Sequence, residues 1–108
     1  MNLKQAYNLL KSGNNNTVTA VAKGNSMSKY IKNGSRVGIK KYNKNKHKLN
    51  IGNIVLCKIK GNIYLHLIGA IRTNKKSRKR YRIESQSGHV NGWIGDDNIA
   101  GILVKTIK

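Results

Sequence analysis

Residues 51–71 read IGNIVLCKIKGNIYLHLIGAI and decide the fold, because two apolar, β-prone runs flank the tight-turn signal Gly61-Asn62. Runs of this kind on both sides of such a turn are typical of a β-hairpin. Side chains alternate along a strand, so Leu65 is expected on one face of the second run and His66 on the other. The stretch therefore predicts an antiparallel pair of strands.

More strands are predicted on both sides of this hairpin. Short β-prone segments with alternating side chains, bounded by turn signals such as Asn33-Gly34, are typical of half-buried strands. They cover residues 17–22, 36–40, 81–84 and 99–107. With no Phe, no Pro and one Trp, the core has to be built from Ile, Val, Leu and Tyr, which also favours strands.

The first residues have a helical periodicity instead. Within residues 2–12 apolar side chains recur at i, i+3, i+4 and i+7, with Asn2 as the N-cap and Ser12-Gly13 as the stop. A chain of 108 residues is long enough for one core and too short for a second. We therefore predict a single, mainly β domain over residues 1–108 with one short N-terminal helix. The core is expected to include Val37, Ile39, Ile54, Leu56, Leu65, Leu67, Ile83 and Ile102.

Several classes of protein are disfavoured by what the sequence lacks. The single cysteine, Cys57, excludes an internal disulfide and lies in an apolar run, so it is predicted to be a buried small side chain. No stretch resembles a secretory signal or approaches the ~20 apolar residues of a membrane span, so a soluble, cytoplasmic protein is expected. His47, His66 and His89 are scattered, and neither a metal site nor a cofactor is expected.

The charge is the most unusual property of the chain. There are 22 Lys and Arg residues against 3 acids, a formal net charge of +19. An AT-rich genome would account for the lysines but not for the scarcity of Glu, whose codons are also AT-rich. A self-repelling surface of this kind is tolerated mainly when a polyanion neutralises it, so nucleic acid is the expected partner.

Much of this charge is concentrated in two loops, residues 41–50 and 72–80. The candidate nucleic-acid-binding residues are Lys41, Lys44, Lys46, Lys48, Arg72, Lys75, Lys76, Arg78, Lys79 and Arg80. If the strands formed a simple meander, both loops would emerge at the same end of the sheet. Only Tyr42 and Tyr81 flank the loops, so phosphate contacts are expected to dominate and sequence selectivity to be weak.

A second motif lies upstream, where Gly24-Asn25-Ser26-Met27 presents a serine hydroxyl between a turn and an apolar side chain. Together with Ile51–Leu56, Tyr64–Ile68 and Gly101–Val104, this box resembles the S24/S26 superfamily, which groups LexA-type repressor domains with signal peptidases. The resemblance runs from about residue 18 to the C-terminus, and it implies the fold of that superfamily. Residues 88–93, GHVNGW, also resemble a signature of small members of this group.

The resemblance implies that Ser26 is a nucleophile and that His66 is its base, as in the Ser-His members of the superfamily. This chain departs from the family pattern at several positions. Lys29 stands where the family has Pro, and Ser35 and Asn53 stand where Asp is usual. Glu84-Ser85-Gln86 replaces a late Gly-Asp-Asn, so no obvious acid orients His66.

Three functions therefore remain open from the sequence. The first is a small basic domain that binds RNA or DNA mainly through phosphates. The second is a serine peptidase-like hydrolase that uses Ser26 and His66. The third is a non-catalytic module that docks on an acidic protein. The neutral residues at positions where the family carries acids weaken a catalytic site and strengthen a phosphate-binding surface, which favours the first function.

Overall fold

The computed structural model describes residues 1–107, which form one short helix and a seven-stranded antiparallel sheet. The elements are α1 (Leu3–Ser12), β1 (Thr17–Val21), β2 (Arg36–Lys41), β3 (Ile54–Ile59), β4 (Asn62–Thr73), β5 (Lys79–Glu84), β6 (Val90–Ile94) and β7 (Ile99–Ile107), with a 3-10 turn at Asp96–Asn98 before β7. The predicted class, mainly β with one N-terminal helix, is confirmed. The predicted hairpin is β3 and β4, whose register pairs Leu56 with Leu65.

The helix begins and ends where its sequence signals indicate. Asn2 Oδ1 accepts from the Gln5 amide at 2.8 Å, and Gln5 Oε1 accepts from the Asn2 amide at 2.8 Å, which is a reciprocal capping box. At the other end the Gly13 amide donates to the Leu9 carbonyl. The apolar stripe, which includes Leu10, is buried against the sheet.

The order of strands across the sheet is β1-β2-β7-β3-β4-β5-β6. The C-terminal strand β7 lies between β2 and β3 and is antiparallel to both, so β2 and β3 are parallel to each other. The predicted meander, in which the strand of residues 51–60 runs antiparallel to the strand of residues 36–40, is therefore wrong. Alternation identifies a strand but not its partners, and β2 pairs with β1 on one side and with β7, far away in sequence, on the other.

Side chains pack in two clusters on the two faces of the sheet. One cluster contains α1 together with Val37, Ile39 and Leu65. The other contains Ile68 and Ile83. The expected alternation is confirmed over residues 63–68 of β4, where odd-numbered apolar residues pack in the first cluster and even-numbered ones in the second. A bulge between Ile68 and Ala70 then shifts the pattern, so Ile71 packs in the second cluster. Five of the predicted core residues are buried, and Ile54, Leu67 and Ile102 pack against the clusters while partly exposed.

Cys57 is a free, buried cysteine, and burial raises the pKa of its thiol to about 12. The thiol is therefore protonated near neutral pH and a poor nucleophile. Within residues 1–107 no helix is long and apolar enough to cross a bilayer.

Gly101 allows α1 to pack closely on β7. A Cβ at this position would lie 2.5 Å from Ile39 Cγ2, 2.9 Å from Leu10 Cδ1 and 2.9 Å from the Lys40 carbonyl oxygen. These neighbours are core side chains and backbone, which cannot move away without disturbing the helix or β2.

Gly101→Ala should therefore lower the free energy of unfolding by about 1–3 kcal/mol, as overpacking of a core does. Urea denaturation followed by far-UV circular dichroism measures the change. Gly38→Ala is the matched control, because its Cβ would meet only the flexible Lys105 side chain, at 3.3 Å. Equal stability of the two variants would contradict close packing at Gly101.

Candidate catalytic site

The Ser26 hydroxyl is carried by the loop that joins β1 to β2. Backbone hydrogen bonds close the base of this loop, from the Gly34 amide to the Ala22 carbonyl at 2.7 Å and from the Ala22 amide to the Ser35 carbonyl at 2.9 Å. Above this base the Gly24 amide donates to Asn33 Oδ1 at 2.8 Å. Gly24 has a φ of +107°, which favours glycine, so the Gly-Asn turn is locally specified.

Two apolar side chains fix the loop to the core directly after the serine. Met27 and Ile31 are buried in the cluster that contains α1. The Met27 carbonyl accepts from the amides of Tyr30 and Ile31, at 2.9 Å and 2.6 Å, so the segment forms a tight turn. Ser26 is therefore held at the edge of a packed region, although it is itself exposed.

Ser26 and His66 lie within hydrogen-bonding distance. Ser26 Oγ is 2.9 Å from His66 Nε2, although the two residues are 40 positions apart. On β4 the pairing with β5 ends at Leu67 and Glu84, so His66 lies just past the last pair and can reach the Ser26 loop. The Gln86 amide, where the chain leaves β5, donates to the Ser26 carbonyl at 3.2 Å.

Asn91 supplies the partner that the sequence did not identify for His66. Asn91 Oδ1 lies 2.7 Å from His66 Nδ1. In the register of β5 with β6, Ile83 pairs with Gly92 and Glu84 pairs with Val90, so Asn91 is the extra residue of a β-bulge. Bulges redirect side chains. The GHVNGW stretch was the signal in the sequence, but periodicity alone could not locate a bulge within it.

The hydrogen bonds define the tautomer of His66. With Asn91 Oδ1 as the acceptor, His66 Nδ1 carries the proton and Nε2 has the free lone pair that faces the Ser26 hydroxyl. Burial lowers the pKa of His66 below its ordinary value of 6.5, the hydrogen bond with Asn91 partly opposes this, and the charge of His89 lowers it further. Near neutral pH the imidazole is therefore neutral and able to accept a proton.

A cavity of about 520 Å³ opens beside these groups. Its apolar wall includes Met27, Ile31 and Leu65, and its polar wall carries the Ser26–His66–Asn91 chain with His89 at the side. Apolar walls with a few convergent polar groups are typical of small-ligand and substrate sites. The arrangement can bind an apolar group next to a hydroxyl that has a base within reach.

Gln86 ties the serine loop to the segment that leads to Asn91. Its side-chain Oε1 accepts from the Lys29 amide at 2.5 Å, and its Nε2 donates to Ser28 Oγ at 3.1 Å. Its own amide holds the Ser26 carbonyl. The position of the Ser26 hydroxyl therefore depends on Gln86. In the sequence this residue was notable only as part of Glu84-Ser85-Gln86, which departs from a family motif.

The two basic loops face each other at a different part of the molecule. Lys44 and Lys48 of the first loop and Lys79 of the second line one cleft, and Lys44 lines a neighbouring cleft with Arg78. No residue lines both these clefts and the cavity at Ser26. Residues of the two loops therefore adjoin, although the strand directions of the predicted meander were wrong.

A half-buried carboxylate, that of Asp96, joins the tyrosines that flank the two loops. Asp96 Oδ1 accepts from the Tyr42 hydroxyl at 2.5 Å and from the Tyr81 hydroxyl at 2.9 Å. Burial, with a further contribution from Asp96, raises the pKa of Tyr81 to about 12, and the same effects raise the pKa of Tyr42. Both hydroxyls therefore remain donors over the physiological range. We call this contact the Asp96 latch.

The predicted phosphate-binding side chains are not all equally free. Lys41 is half-buried, and its Nζ donates to the Gly13 carbonyl at 3.2 Å, so it is turned toward the end of α1. Lys79 is also half-buried. The other eight predicted residues are exposed: Lys44, Lys46, Lys48, Arg72, Lys75, Lys76, Arg78 and Arg80.

Comparison of the chain with protein-family models, curated protein sequences and solved structures finds no match. The resemblance to the S24/S26 superfamily therefore has no support beyond the motifs quoted above. The geometry of the site carries the functional argument on its own. Within residues 1–107 there is also no cluster of His, Cys, Asp and Glu that could hold a metal ion.

Asn91→Asp should raise the pKa of His66 by about 1–3 units, because a carboxylate close to the ring favours the imidazolium. Asn91→Leu should lower it, because the hydrogen bond that partly offsets burial is lost. NMR titration of the ring protons measures both, with His66→Gln to assign the signal among the three histidines. A pKa that is the same in both variants would contradict the contact.

Proposed function

We propose that this protein is a serine hydrolase of the peptidase type, with Ser26 as nucleophile, His66 as general base and Asn91 as the residue that orients the imidazole. The observation that supports the proposal is the continuous chain of hydrogen bonds from Ser26 Oγ to His66 Nε2 and from His66 Nδ1 to Asn91 Oδ1. Hydroxyl, imidazole and amide form a constellation in which the third group holds the ring in the tautomer that the reaction needs.

The proposed reaction is acyl transfer in two stages. Ser26 Oγ attacks a substrate carbonyl while its proton passes to His66 Nε2, and His66 then gives that proton to the leaving group as the scissile bond breaks. Water then attacks the acyl-serine ester and gives its proton to His66, which passes it to Ser26 Oγ as the ester bond breaks and the acid is released. The amides of Ser26 and Met27, which donate to no acceptor within residues 1–107, are candidates to stabilise the developing oxyanion.

The surroundings of the dyad favour an acyl group with an apolar side chain. The cavity beside Ser26 is walled by Met27, Ile31, Ile63 and Leu65, and it holds no acidic side chain. A peptide or ester with an apolar residue before the scissile bond fits this wall, because apolar surface is then removed from water on both sides. An S24/S26-type peptidase is the form of this proposal that agrees with the sequence motifs.

A fluorophosphonate probe should label the protein at Ser26, and Ser26→Ala should abolish the labelling. His66→Gln should slow it by about 10²–10⁴-fold, since positioned base catalysis is removed. Protonation removes the base, so the labelling rate should fall at acid pH with an apparent pKa below 6.5, the direction in which burial shifts His66.

Ser87→Ala is the matched control for this experiment, because Ser87 lines the same cavity but does not contact His66. Intact-mass spectrometry after exposure to the probe measures the labelled fraction. Labelling that persists in Ser26→Ala, or no labelling of the parent protein, would count against the hydrolase.

We also propose that the basic loops form a surface for nucleic acid. The supporting observation is that the loops adjoin across the Asp96 latch while their cations are left without acidic partners. Within residues 1–107 the one ion pair joins Arg82 to Glu84, outside the loops. Lys44, Lys75 and Arg78 are exposed and can approach phosphates, the arginine bidentately and the lysines as point charges.

Neutralising the second loop tests this surface. Affinity for DNA or RNA should fall by ~10³–10⁵ between about 50 and 200 mM salt if about 6–10 phosphates are contacted. Replacing Lys75, Lys76, Arg78, Lys79 and Arg80 by Gln should flatten that slope, and Ser26→Ala should leave it unchanged.

Polyglutamate is the competitor that separates this function from docking on an acidic protein. A loop variant that binds as tightly as the parent protein at both salt concentrations would refute the nucleic-acid surface. Displacement of nucleic acid by equimolar polyglutamate would favour the acidic protein partner instead. Fluorescence anisotropy with labelled oligonucleotides measures the salt titrations of the parent protein and the variants, and also the competition by polyglutamate.

A further inference from the structure

The outer face of β4, β5 and β6 carries a group of arginines around the single tryptophan. Across the sheet Arg72 pairs with Arg80, and Arg82 pairs with Trp93. Residues two apart on β5 share a face, so all four side chains stand on the side opposite Tyr81 and Ile83, which are buried. We call Arg72, Arg80, Arg82 and Trp93 the arginine–tryptophan face.

The guanidinium groups of this face contact the indole. Arg72 Cζ lies 4.6 Å from the centroid of the Trp93 ring, and Arg82 Cζ lies 5.9 Å from it. Arg80 Nη2 donates to the Trp93 carbonyl at 3.3 Å. Cations stack well on indole, because the ring face is electron-rich.

The cations differ in how firmly they are held. Arg82 Nε is 3.1 Å from Glu84 Oε2, so it is fixed by a carboxylate on its own strand. Arg72 is exposed and has no acidic partner within residues 1–107. Arg72 can therefore leave the indole for a phosphate, which would uncover the ring face, while Arg82 stays in place.

The aromatic residues that the sequence placed beside the basic loops cannot take this role. Tyr42 is 9% exposed and Tyr81 is 2% exposed, and both hydroxyls are bound to Asp96. Trp93 is half-buried on β6, the outermost strand of the sheet, and it adjoins Arg72 at the start of the second basic loop. It is the aromatic side chain in position to meet a ligand held by that loop.

We propose that the arginine–tryptophan face binds single-stranded nucleic acid, with an unpaired base stacked on Trp93 and the flanking phosphates held by Arg72, Arg80 and the second basic loop. This proposal rests on the nucleic-acid surface proposed above and specifies which form of nucleic acid that surface takes. It adds Trp93 to the loop residues that the sequence singled out.

The chemistry of the face distinguishes single strands from duplexes. A half-buried indole on the face of a sheet can stack only on a base whose own face is open, and duplex bases are already stacked on each other. Phosphates alone would need cations but no aromatic ring. An acidic protein would likewise be bound by the cations and would gain little from the indole.

Trp93 is the single tryptophan of the chain, so its fluorescence reports on this face alone. Single-stranded oligonucleotide should quench the emission on binding, and the duplex of the same sequence should bind more weakly with little quenching. Trp93→Leu should weaken single-strand binding by about 5- to 100-fold, the equivalent of the loss of one base stack. Trp93→Phe should keep most of the affinity, which separates stacking from misfolding.

Tyr30→Leu is the matched control, because Tyr30 is also an exposed aromatic ring under a cation, with Lys29 Nζ 5.8 Å from its centroid. It should leave binding unchanged. Arg72→Gln should weaken single-strand binding and should also change the emission of the free protein, since Arg72 lies over the ring.

The failure of this inference can be told apart from the failure of the nucleic-acid surface. If single strand and duplex bind equally, with the same salt slope, no quenching and no effect of Trp93→Leu, the surface stands and the stacking proposal falls. If neither form binds at low salt, the surface itself is wrong. Quenching by polyglutamate as strong as by oligonucleotide would overturn the stacking proposal in favour of simple charge binding.

Discussion

The pairing of β7 with both β2 and β3 is the constraint on which the rest of the structure depends. The β1–β2 pair carries Ser26, and β4 and β6 carry His66 and Asn91. These two parts of the sheet are joined by β7, which pairs Ile102 with Lys40 on one side and with Val55 on the other. Because Gly101 also allows α1 to pack on this strand, one segment fixes both the sheet and the helix that covers it.

The candidate site likewise depends on contacts between residues far apart in sequence, because the pairing of β7 brings its parts together. The hydrogen bond from Ser26 to His66 forms only when β1–β2 is docked through β7, and Gln86 then links the serine loop to the end of β5. Contacts between residues distant in sequence form late in folding, because loop closure has to precede them. A loss of β7 pairing would therefore separate the two groups even if every hairpin remained.

The features that could be predicted from the sequence are those with local causes. The capping box at Asn2 and the Gly61-Asn62 turn involve neighbouring residues, so the helix and the central hairpin could be located directly. The pairing of β2 with β7 could not be predicted, because alternation shows which face a side chain lies on and not which strand lies alongside. Asn91 was missed for a related reason, since its side chain reaches His66 only through a bulge that no periodicity reveals. The position of Trp93 beside the arginines follows from its pairing with Arg82, which the sequence does not reveal.

The three acids of the chain all lie away from Ser26 and His66, and this determines which kind of group orients the imidazole. Glu84 pairs with Arg82, Asp96 forms the Asp96 latch with two tyrosines, and Asp97 is exposed beside the basic cleft. No carboxylate lines the cavity at Ser26, and an amide oxygen orients His66 instead. An amide fixes the tautomer as a carboxylate does, but it adds no charge to stabilise an imidazolium.

The scarcity of acids thus has opposite effects on the two proposed functions. It leaves Arg72 and the loop lysines free for phosphates, and it keeps the pKa of His66 low. A neutral imidazole is available as a base at neutral pH, yet the ion that it becomes in the reaction gains nothing from Asn91 beyond a hydrogen bond. With a net charge of +19, the surrounding field favours the negative charge that develops on the substrate oxygen and disfavours the positive charge on His66. Since solvent and salt screen distant charges, the groups nearest the dyad have the largest effect, and in this cavity those are Lys23, His89, Asn91 and the amides beside Ser26.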